Sequence, residues 1–309
     1  MPEFTHIPVL LNEVLAWLEP RDKGRYADGT LGGAGHAEAI LKASSPTGKL
    51  YGCDQDGAAL EAATARLSPY EGRYELRRGN FAELAGWIEH GSCNGVLLDL
   101  GVSSPQLDVG ERGFSIQQDG PLDMRMDTRQ GLTAAEVVNS WTESELTRVF
   151  REYGEEPQAR RFARAIVEDR QRHRFERTGE LASLIERLAP RHGKKRHPAT
   201  QVFQALRMTV NNEMSSLRSG LAAALTILRP GGRLAVITFH SLEDRVVKEF
   251  GRAKARDYTF EGEVDVPELR RMKAPEARLP QRKAILPSDE EVKRNPRARS
   301  AQLRILEKV

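Results

Sequence analysis

Residues 26–36 read YADGTLGGAGH, and this glycine-rich stretch decides the fold. A short strand leads into it, and the run AEAILKA at 37–43 that follows is a good helix former. The glycines therefore lie at a strand-to-helix turn, where a ligand can approach the backbone and the helix N-terminus offers unpaired N–H groups. Such a turn is typical of nucleotide binding, although a plain tight turn is the alternative. No Gly-Lys-Ser/Thr follows, which disfavours a nucleoside triphosphate.

A second strand ends in an acid. Residues 49–54, KLYGCD, predict a strand whose last residue lies about 20 positions past the last glycine. A carboxylate at that place can accept hydrogen bonds from ribose hydroxyls. The two features together favour an adenosine-containing cofactor held by Asp54, with a solvated turn residue as the alternative.

Two further strands end in candidate residues. Phe81 follows a third strand, and the apolar run at 94–99 predicts a buried parallel strand that ends at Asp99. Strands and helices alternate four times, which predicts a doubly wound α/β sheet with ligands at the carboxyl ends of its strands. Asp28, Asp54, Phe81 and Asp99 all fall at such ends, so we expect them to converge on one edge. Phe81 has a core aromatic as its alternative.

The alternation then stops. Residues 102–132 are rich in Gly, Pro, Ser and Asp and predict a long loop, whereas residues 133–190 predict helices throughout. Thr133, Thr142 and Thr178 are candidate N-caps of those helices.

Strand patterns return late in the chain. Residues 233–239 predict another buried strand, residues 257–282 an irregular basic segment, and residues 300–307 a last strand that completes the sheet. We therefore predict a discontinuous α/β domain and an inserted all-helical domain, with the following bounds. The α/β domain takes residues 1–107 and 206–309, and the helical domain takes residues 108–205.

Composition describes an ordinary globular protein. Of 309 residues, 39% are hydrophobic and 29% are charged. Cys53 and Cys93 lie in apolar runs and are expected to be core residues of a reducing compartment. The seven histidines show no metal-ligand spacing, and no stretch is long and apolar enough to span a membrane. With no secretory signal at Met1, we expect a cytoplasmic protein without a metal site.

Charge is unevenly distributed. The net charge is only +3, yet residues 1–110 carry nine basic against fifteen acidic residues. Residues 151–197 carry thirteen against eight, and residues 270–304 carry eleven against four. These two basic segments predict a polyanionic partner such as RNA, with solvated helix faces as the alternative. The cluster Lys194-Lys195-Arg196, in a predicted linker, is a candidate for phosphate contacts.

Several rare motifs occur in a fixed order along nearly the whole chain. They are HIPVLL at 6–11, DGTLGGAGH at 28–36, LLDLGVSSPQLD at 97–108, ERGFS at 111–115, GPLDMRMD at 120–127, YGEE at 153–156, HPAT at 197–200, FQALR at 203–207, FHSLEDR at 239–245 and NPRARSAQLR at 295–304. This order resembles the MraW/RsmH ribosomal RNA methyltransferases. Within the first glycine motif, Ala34 interrupts the run of glycines that is usual in the family.

The resemblance implies a Rossmann-like class I methyltransferase sheet. It also implies methyl transfer from S-adenosylmethionine to the exocyclic N4 of a cytidine in the decoding region of 16S ribosomal RNA, in the small ribosomal subunit. The residues that it implies at the cofactor are Ala34, Gly35 and His36 on the turn, Asp54 on the ribose, Phe81 near the adenine, and Asp99 and Gln106 completing the site.

Asp99 is the candidate catalytic residue. Cytosine N4 is a poor nucleophile because its lone pair is delocalised into the ring, and acceptors that hold its hydrogens help it to pyramidalise. Asp99 has three alternative partners, namely the cofactor methionine, the target amine or neither. Four further polar residues in or beside the rare motifs are candidates for substrate binding: Ser103, Asp123, Arg125 and His240.

Structural roles compete with those assignments. A structural ion pair between the inserted domain and the core is the alternative for Arg125 and for Asp244. His240 follows a buried strand at the ligand edge, so it is a base, a cytosine contact or a satisfied core histidine.

Two other functions stay open at this point. One is an RNA-binding ribosome assembly factor with a vestigial cofactor fold, and the other is an NAD-dependent oxidoreductase. The second is disfavoured, because the turn lacks full G-x-G-x-x-G spacing. The sequence leaves the oligomeric state open, with a homodimer as one alternative.

Overall fold

The computed structural model describes residues 8–191, 197–260 and 266–309, without the side chains of Ser104 and Pro105. It divides into two compact units. One runs to Gly101 and resumes at Ser215, and the other is the single segment Val102–Met214. The expected domain boundaries, at 107/108 and 205/206, both lie inside the second unit. Residues 6–7 of the first motif and the Lys194-Lys195-Arg196 cluster lie outside the described residues.

Strands and helices alternate through the first unit. In chain order, the strands are Arg25–Asp28 (β1), Lys49–Asp54 (β2), Tyr74–Arg78 (β3), Cys93–Asp99 (β4), Leu228–Thr238 (β5), Tyr258–Phe260 (β6), Arg270–Met272 (β7), Ala277–Arg278 (β8) and Gln302–Lys308 (β9). The α-helices are Leu11–Leu18 (α1), Gly35–Ala43 (α2), Gly57–Leu67 (α3), Ser104–Asp108 (α4), Ala134–Ser140 (α5), Glu143–Glu152 (α6), Ala159–Asp169 (α7), Thr178–Leu188 (α8), Thr200–Val210 (α9), Glu213–Ile227 (α10), Ser241–Ala255 (α11) and Asp289–Arg294 (α12).

Seven strands form one sheet in the order β3-β2-β1-β4-β5-β9-β8. The first five strands are parallel, and β9 pairs with β5 in the antiparallel direction. The order steps outward from β1 in both directions, so the predicted doubly wound sheet is confirmed. The last strand completes the sheet, as its alternating pattern predicted.

Helices cover both faces of this sheet, because its central strands are apolar on both sides. Leu97 and Ile237 pack in one core with α1, α2 and α3. Leu98 and Val236 point the other way and pack in a second core with α10 and α11. The sheet is therefore held rigidly between two layers, which fixes the ends of its strands.

The second unit contains α4 to α9 around its own core of aliphatic and aromatic side chains, including Phe150 and Phe162. Thr133 and Thr142 cap α5 and α6 in capping boxes, as predicted. The prediction for Thr178 is wrong, because Arg177 is the N-cap residue of α8. The Thr178 hydroxyl instead accepts the N–H of Gly120 at 3.1 Å, which diverts it from capping.

Residues 257–282 are more regular than expected. Tyr258, Thr259 and Phe260 pair with Arg270–Met272 to form a separate two-stranded sheet. Aromatic and β-branched residues favour a strand, and the basic composition of the segment hid this signal. In the described part of the chain, no helix is long and apolar enough to cross a membrane.

Candidate active site

Three aspartates end neighbouring parallel strands of the sheet. Asp28 is the last residue of β1, Asp54 of β2 and Asp99 of β4. Their strands lie side by side in the order β2-β1-β4, so the structure brings these carboxylates to one edge. No lysine or arginine pairs with any of the three among the described residues.

Asp54 organises the glycine turn. Its Oδ2 accepts the N–H of Gly32 at 2.9 Å, and its Oδ1 accepts the N–H of Asp56 at 2.9 Å. Burial raises the pKa of Asp54 above its ordinary value, although these hydrogen bonds oppose the rise. Since a carboxylate oxygen has two lone-pair sites, each oxygen keeps capacity for a hydroxyl donor.

Thr30 connects the other two aspartates. Its hydroxyl oxygen accepts the backbone N–H of Asp99 at 2.6 Å and lies 3.4 Å from Oδ1 of Asp28. The same Oδ1 accepts the backbone N–H of Thr30 at 3.0 Å. Asp28 is almost fully buried, and burial together with the charge of Asp54 raises its pKa to about 7.

Asp99 has an unsatisfied carboxylate oxygen. Its Oδ1 is buried and has no hydrogen-bond partner among the described residues. Its Oδ2 lies 3.7 Å from Nε2 of His36, a buried residue in the first turn of α2. Burial raises the pKa of Asp99 well above its ordinary value, and the charges of Asp28 and Glu243 add to that rise. Burial and the neighbouring acids therefore favour the protonated form of Asp99 when no ligand is bound.

His240 has a structural role at the same edge. It is the N-cap residue of α11, where its Nδ1 accepts the N–H of Glu243. The Glu243 carboxylate in turn accepts the N–H of Phe239 at 2.9 Å and lies 2.9 Å from Nε2 of His240. Nε2 of His240 is nevertheless buried and has no hydrogen-bond partner among the described residues, so the histidine is only partly satisfied. The geometry therefore leaves open the three roles given from sequence. A substrate contact by His240 stays a prediction.

The glycine turn has a left-handed backbone conformation at Ala34, although this conformation favours glycine. Ala34 has φ 56° and ψ 24°, and it is fully buried. A Cβ on Gly35 would lie 2.4 Å from Cγ of Pro8, so only glycine lets Pro8 pack this closely against the turn. Ala34, Gly35 and His36 therefore present the backbone of the α2 N-terminus at the edge that carries the aspartates.

Phe81 begins a 3-10 helix, Phe81–Gly86, after β3. It is 9% exposed and belongs to the core between the sheet and α10. A Cβ on Gly220 would lie 2.2 Å from Cδ2 of this ring, so the ring fits only against a glycine. The core alternative describes this packing, and an adenine contact stays a prediction.

The remaining candidates belong to the second unit. Gln106 is buried, and its Oε1 accepts the N–H of Ser103 at 3.0 Å. Arg125 forms a bidentate ion pair with Asp123, at 2.9 and 2.7 Å. Its remaining Nη1 donates to the carbonyl of Gln130 at 2.7 Å. Arg125 thus forms a structural ion pair, but with Asp123 inside one unit and not with the α/β core as the alternative from sequence had it.

Asp244 also forms an ion pair, but again within one unit. Its carboxylate receives Nε and Nη2 of Arg304, at 2.5 and 2.9 Å, which joins α11 to β9 within the first unit. Neither of these two ion pairs links the inserted segment to the α/β core.

Comparison with known proteins gives the family. The family model described as MraW methylase family matches residues 3–309. A protein of Symbiobacterium thermophilum named ribosomal RNA small subunit methyltransferase H is 50% identical, over 99% of this chain and 97% of the relative. A protein of Geobacter sp. strain M21 with the same name is 48% identical, over the full length of both. An rRNA methylase structure from Streptococcus thermophilus has a TM-score of 0.44 at 13% identity, with 99% of each chain covered.

This chain belongs to the MraW methylase family. Membership confirms the resemblance found in the motifs, with the methyltransferase activity and the S-adenosylmethionine cofactor which that resemblance implied.

The edge of this MraW methylase fits that cofactor. S-adenosylmethionine carries a sulfonium and an ammonium. Asp28 is buried and Asp54 and Asp99 are partly buried, and among the described residues no lysine or arginine pairs with them. An added positive charge favours the ionised form of such acids. Among the described residues, no group of three or more His, Cys, Asp or Glu is arranged to hold a metal ion.

Sequence reasoning missed two residues of this MraW methylase site. Thr30 joins Asp28 to Asp99, and Glu243 is a buried carboxylate that raises the pKa of Asp99. The signal for Glu243 was present, because an acid three residues after a helix-capping position forms a capping box.

Proposed function

We propose that this chain transfers the methyl group of S-adenosylmethionine to the exocyclic N4 amine of a cytidine in the decoding region of 16S ribosomal RNA. The observation that carries the proposal is the buried Oδ1 of Asp99, which lacks a hydrogen-bond partner among the described residues. A buried acceptor left unsatisfied is costly, so this oxygen calls for an N–H donor from a ligand. The N4 amine of cytosine is such a donor.

Asp99 suits that amine for a second reason. A carboxylate that accepts an amine hydrogen draws the nitrogen lone pair away from conjugation with the ring. That effect is needed because the delocalised amine is a weak nucleophile. The alternative, in which Asp99 holds the ammonium of the cofactor methionine, uses the same oxygen, and the two roles predict different kinetic effects of a substitution.

The turn and the aspartates would hold the cofactor. Ala34 and Gly35 offer backbone at the helix N-terminus, and Asp54 offers acceptors for ribose hydroxyls. When bound, S-adenosylmethionine supplies an electrophilic methyl group on a sulfonium that becomes neutral as the methyl leaves. The chain contributes orientation and a partly dehydrated edge, since Asp28 and His36 beside Asp99 are buried.

Asp99 can also take the proton that the methylated amine releases. An ordinary aspartate is too acidic to hold a proton at neutral pH. Burial and the neighbouring Asp28 and Glu243 raise the pKa of Asp99, which brings it closer to the range of a general base.

The names of the relatives support the RNA target. Both reported relatives are named small-subunit ribosomal RNA methyltransferases. A base inside folded RNA must leave its stack to be modified, which costs least in a loop or a single strand. We retain the proposal that the helical segment recognises the substrate, with Ser103, Asp123 and Arg125 as candidate contacts and Gln106 as a candidate cofactor contact.

The test is product identification. Small ribosomal subunits that lack the modification are incubated with the protein and with methyl-labelled S-adenosylmethionine. The RNA is then digested to nucleosides and analysed by mass spectrometry. We expect label in N4-methylcytidine from one decoding-region position.

Label in another nucleoside would overturn the proposed target atom. Stoichiometric cofactor binding without any transfer to the subunit would favour the assembly-factor alternative over an active methyltransferase.

A further inference from the structure

Four exposed basic residues lie close together near the chain end. They are Lys293 and Arg294 at the end of α12, and Arg297 and Arg299 in the 3-10 helix Pro296–Ser300. We name these four residues the basic ridge. No acidic residue occurs between Glu291 and Glu307, and the acids of α12, Asp289, Glu290 and Glu291, lie in its first turn, at the end opposite Lys293 and Arg294.

The basic ridge lies at the same sheet edge as the aspartates. Strand β9 begins at Gln302, which pairs with Thr238 at the carboxyl end of β5. The preceding residue of β5, Ile237, pairs with Asp99. The 3-10 helix ends directly before β9, so the ridge lies at the edge where β9 begins. In the sheet, β9 is two strand spacings, roughly 10 Å, from β4, the strand of Asp99.

The backbone under the ridge is fixed. Ala298 is fully buried in the core between the two arginines of the 3-10 helix. Asn295 accepts the N–H of Arg297 through its Oδ1 at 3.2 Å, and the N–H of Ala301 donates to the carbonyl of Ala298 at 2.9 Å. The basic side chains therefore project from a rigid support, so contacts made by them lose little backbone entropy.

Three of the four ridge residues differ from a nearby structural arginine. Arg304, in β9, forms a bidentate ion pair with Asp244 through its guanidinium. By contrast, no ion pair joins Lys293, Arg294 or Arg299 to an acid anywhere in the described ranges. Exposed cations grouped on a short stretch of chain are a usual electrostatic footprint of a nucleic-acid contact.

We propose that the basic ridge binds phosphates of the RNA strand that carries the target base. The proposal rests on the proposed function for the identity of that RNA, and it adds the surface that holds the strand beside the catalytic edge. Its partner is single-stranded RNA, because a base must be unpaired to enter the site.

The test is a double charge reversal, Lys293→Glu with Arg299→Glu. Binding to a decoding-region RNA fragment is measured at several salt concentrations, and S-adenosylmethionine binding is measured in parallel. For a single strand, each phosphate contact adds about 0.7 to the slope of log affinity against log salt. We expect the slope to become shallower by roughly 1.4, with RNA affinity at least tenfold lower and cofactor affinity retained.

A matched control reverses one lysine and one arginine elsewhere on the same unit, Arg21→Glu with Lys42→Glu. Both residues are exposed, Arg21 before β1 and Lys42 in the last turn of α2, which places them near the amino edge of the sheet. Because the change in net charge is the same, we expect the control to keep the parent salt slope. An equal loss in both variants would show a general charge effect and overturn the proposal.

Two further outcomes separate this inference from the proposed function. If the parent forms N4-methylcytidine while the ridge variant keeps the parent KM and salt slope, the ridge proposal is wrong and the function stands. If the parent transfers no methyl to cytosine N4 but the ridge variant still loses RNA affinity, the function fails and the ridge proposal survives. A ridge variant that changes only the oligomeric state, by light scattering, would assign the ridge to a second copy of the chain and overturn the RNA contact.

Discussion

Two sets of acidic side chains in this molecule differ in their partners and in the direction of their pKa shifts. At the sheet edge of the first unit, Asp28 is buried and Asp99 is partly buried, and neither has a lysine or arginine partner among the described residues. Loss of solvent raises the pKa of both. In the second unit, Asp123 is half-buried against Arg125. Burial alone would raise the pKa of Asp123, but the hydrogen bonds and charge of Arg125 outweigh it and hold the pKa below its ordinary value. We infer that an acid without a basic partner marks a place for a ligand, whereas an acid paired with an arginine maintains structure.

The largest expected effect comes from Asp99→Asn. The amide has the shape of the protonated carboxyl group but cannot ionise or take a proton. We expect turnover to fall by at least about a hundredfold, equivalent to roughly 3 kcal/mol of transition-state stabilisation, with little change in stability. Single-turnover methyl transfer and thermal unfolding measure the two effects. Parental turnover would make Asp99 a plain strand end and remove the contrast.

Kinetics of the same variant divide the two roles of Asp99. If its carboxylate holds the target amine, cofactor affinity should persist while the chemical step slows. If it holds the cofactor ammonium, calorimetry should show weaker binding of S-adenosylmethionine as well.

Asp28→Asn should change the pH dependence of stability. The folded-state pKa of Asp28 is about 7, whereas an ordinary aspartate has a pKa near 3.8. The folded protein therefore binds one proton more than the unfolded chain between these values, so stability decreases as pH rises from about 4 to 7. The asparagine does not titrate. Relative to the parent, we expect the variant to gain on the order of 2–4 kcal/mol between pH 4 and pH 8.

Unfolding of the cofactor-free protein in urea at both pH values measures this gain. Asp56→Asn is a suitable control, because Asp56 is also buried but caps α3 through the N–H of Ala58. A parallel stability change for the parent and Asp28→Asn at both pH values would contradict the assignment.

The sequence predicts where the aspartates of the sheet edge lie, but not that they lack a basic partner. The alternation of strands and helices placed Asp28, Asp54 and Asp99 at strand ends, and parallel strands bring such ends together. The missing cations could not be predicted, because the absence of a partner depends on what the folded chain packs nearby. Gly220 shows the same limit, since its contact with the ring of Phe81 joins positions far apart in the chain.

The pair Asp123–Arg125 was placed in the substrate site by its rare motif, and a motif does not separate recognition from structure. Local spacing did carry the structural signal, because an acid two residues before an arginine can close an ion pair within one loop. What sequence could not supply is the set of carbonyls, including that of Gln130, that completes the guanidinium shell.

Asp123→Asn should show the opposite behaviour to Asp99→Asn. It leaves a half-buried guanidinium with part of its partner lost, so we expect a loss of about 1–3 kcal/mol in unfolding free energy. If the pair serves structure alone, turnover per folded molecule should hold, whereas a substrate contact by Asp123 would raise the KM for RNA. Unfolding and steady-state kinetics on RNA are measured together. A raised KM for RNA with unchanged stability would place Asp123 at the substrate and end the distinction drawn here.

The smallest effect concerns backbone strain, which both units carry. Ala34 in the first unit and Glu155 in the second have φ of 56° and 49°, in the left-handed region. That conformation costs a residue with a Cβ about 1–2 kcal/mol, and glycine avoids the cost while adding about 0.5–1 kcal/mol of unfolded-state entropy. Glu155 is exposed, so relief of this strain in Glu155→Gly contributes roughly 0.5–1 kcal/mol of stability, from which the loss of its side-chain interactions is subtracted. Ala34 is fully buried, and losing its methyl costs about 0.8 kcal/mol more, so Ala34→Gly should be close to neutral and should keep cofactor binding. Urea unfolding of both variants measures the pair. A clear gain in stability for Ala34→Gly would mean that the alanine strains the cofactor turn without a compensating contact. A clear loss of stability with weaker cofactor binding would mean that its methyl group helps to shape the site.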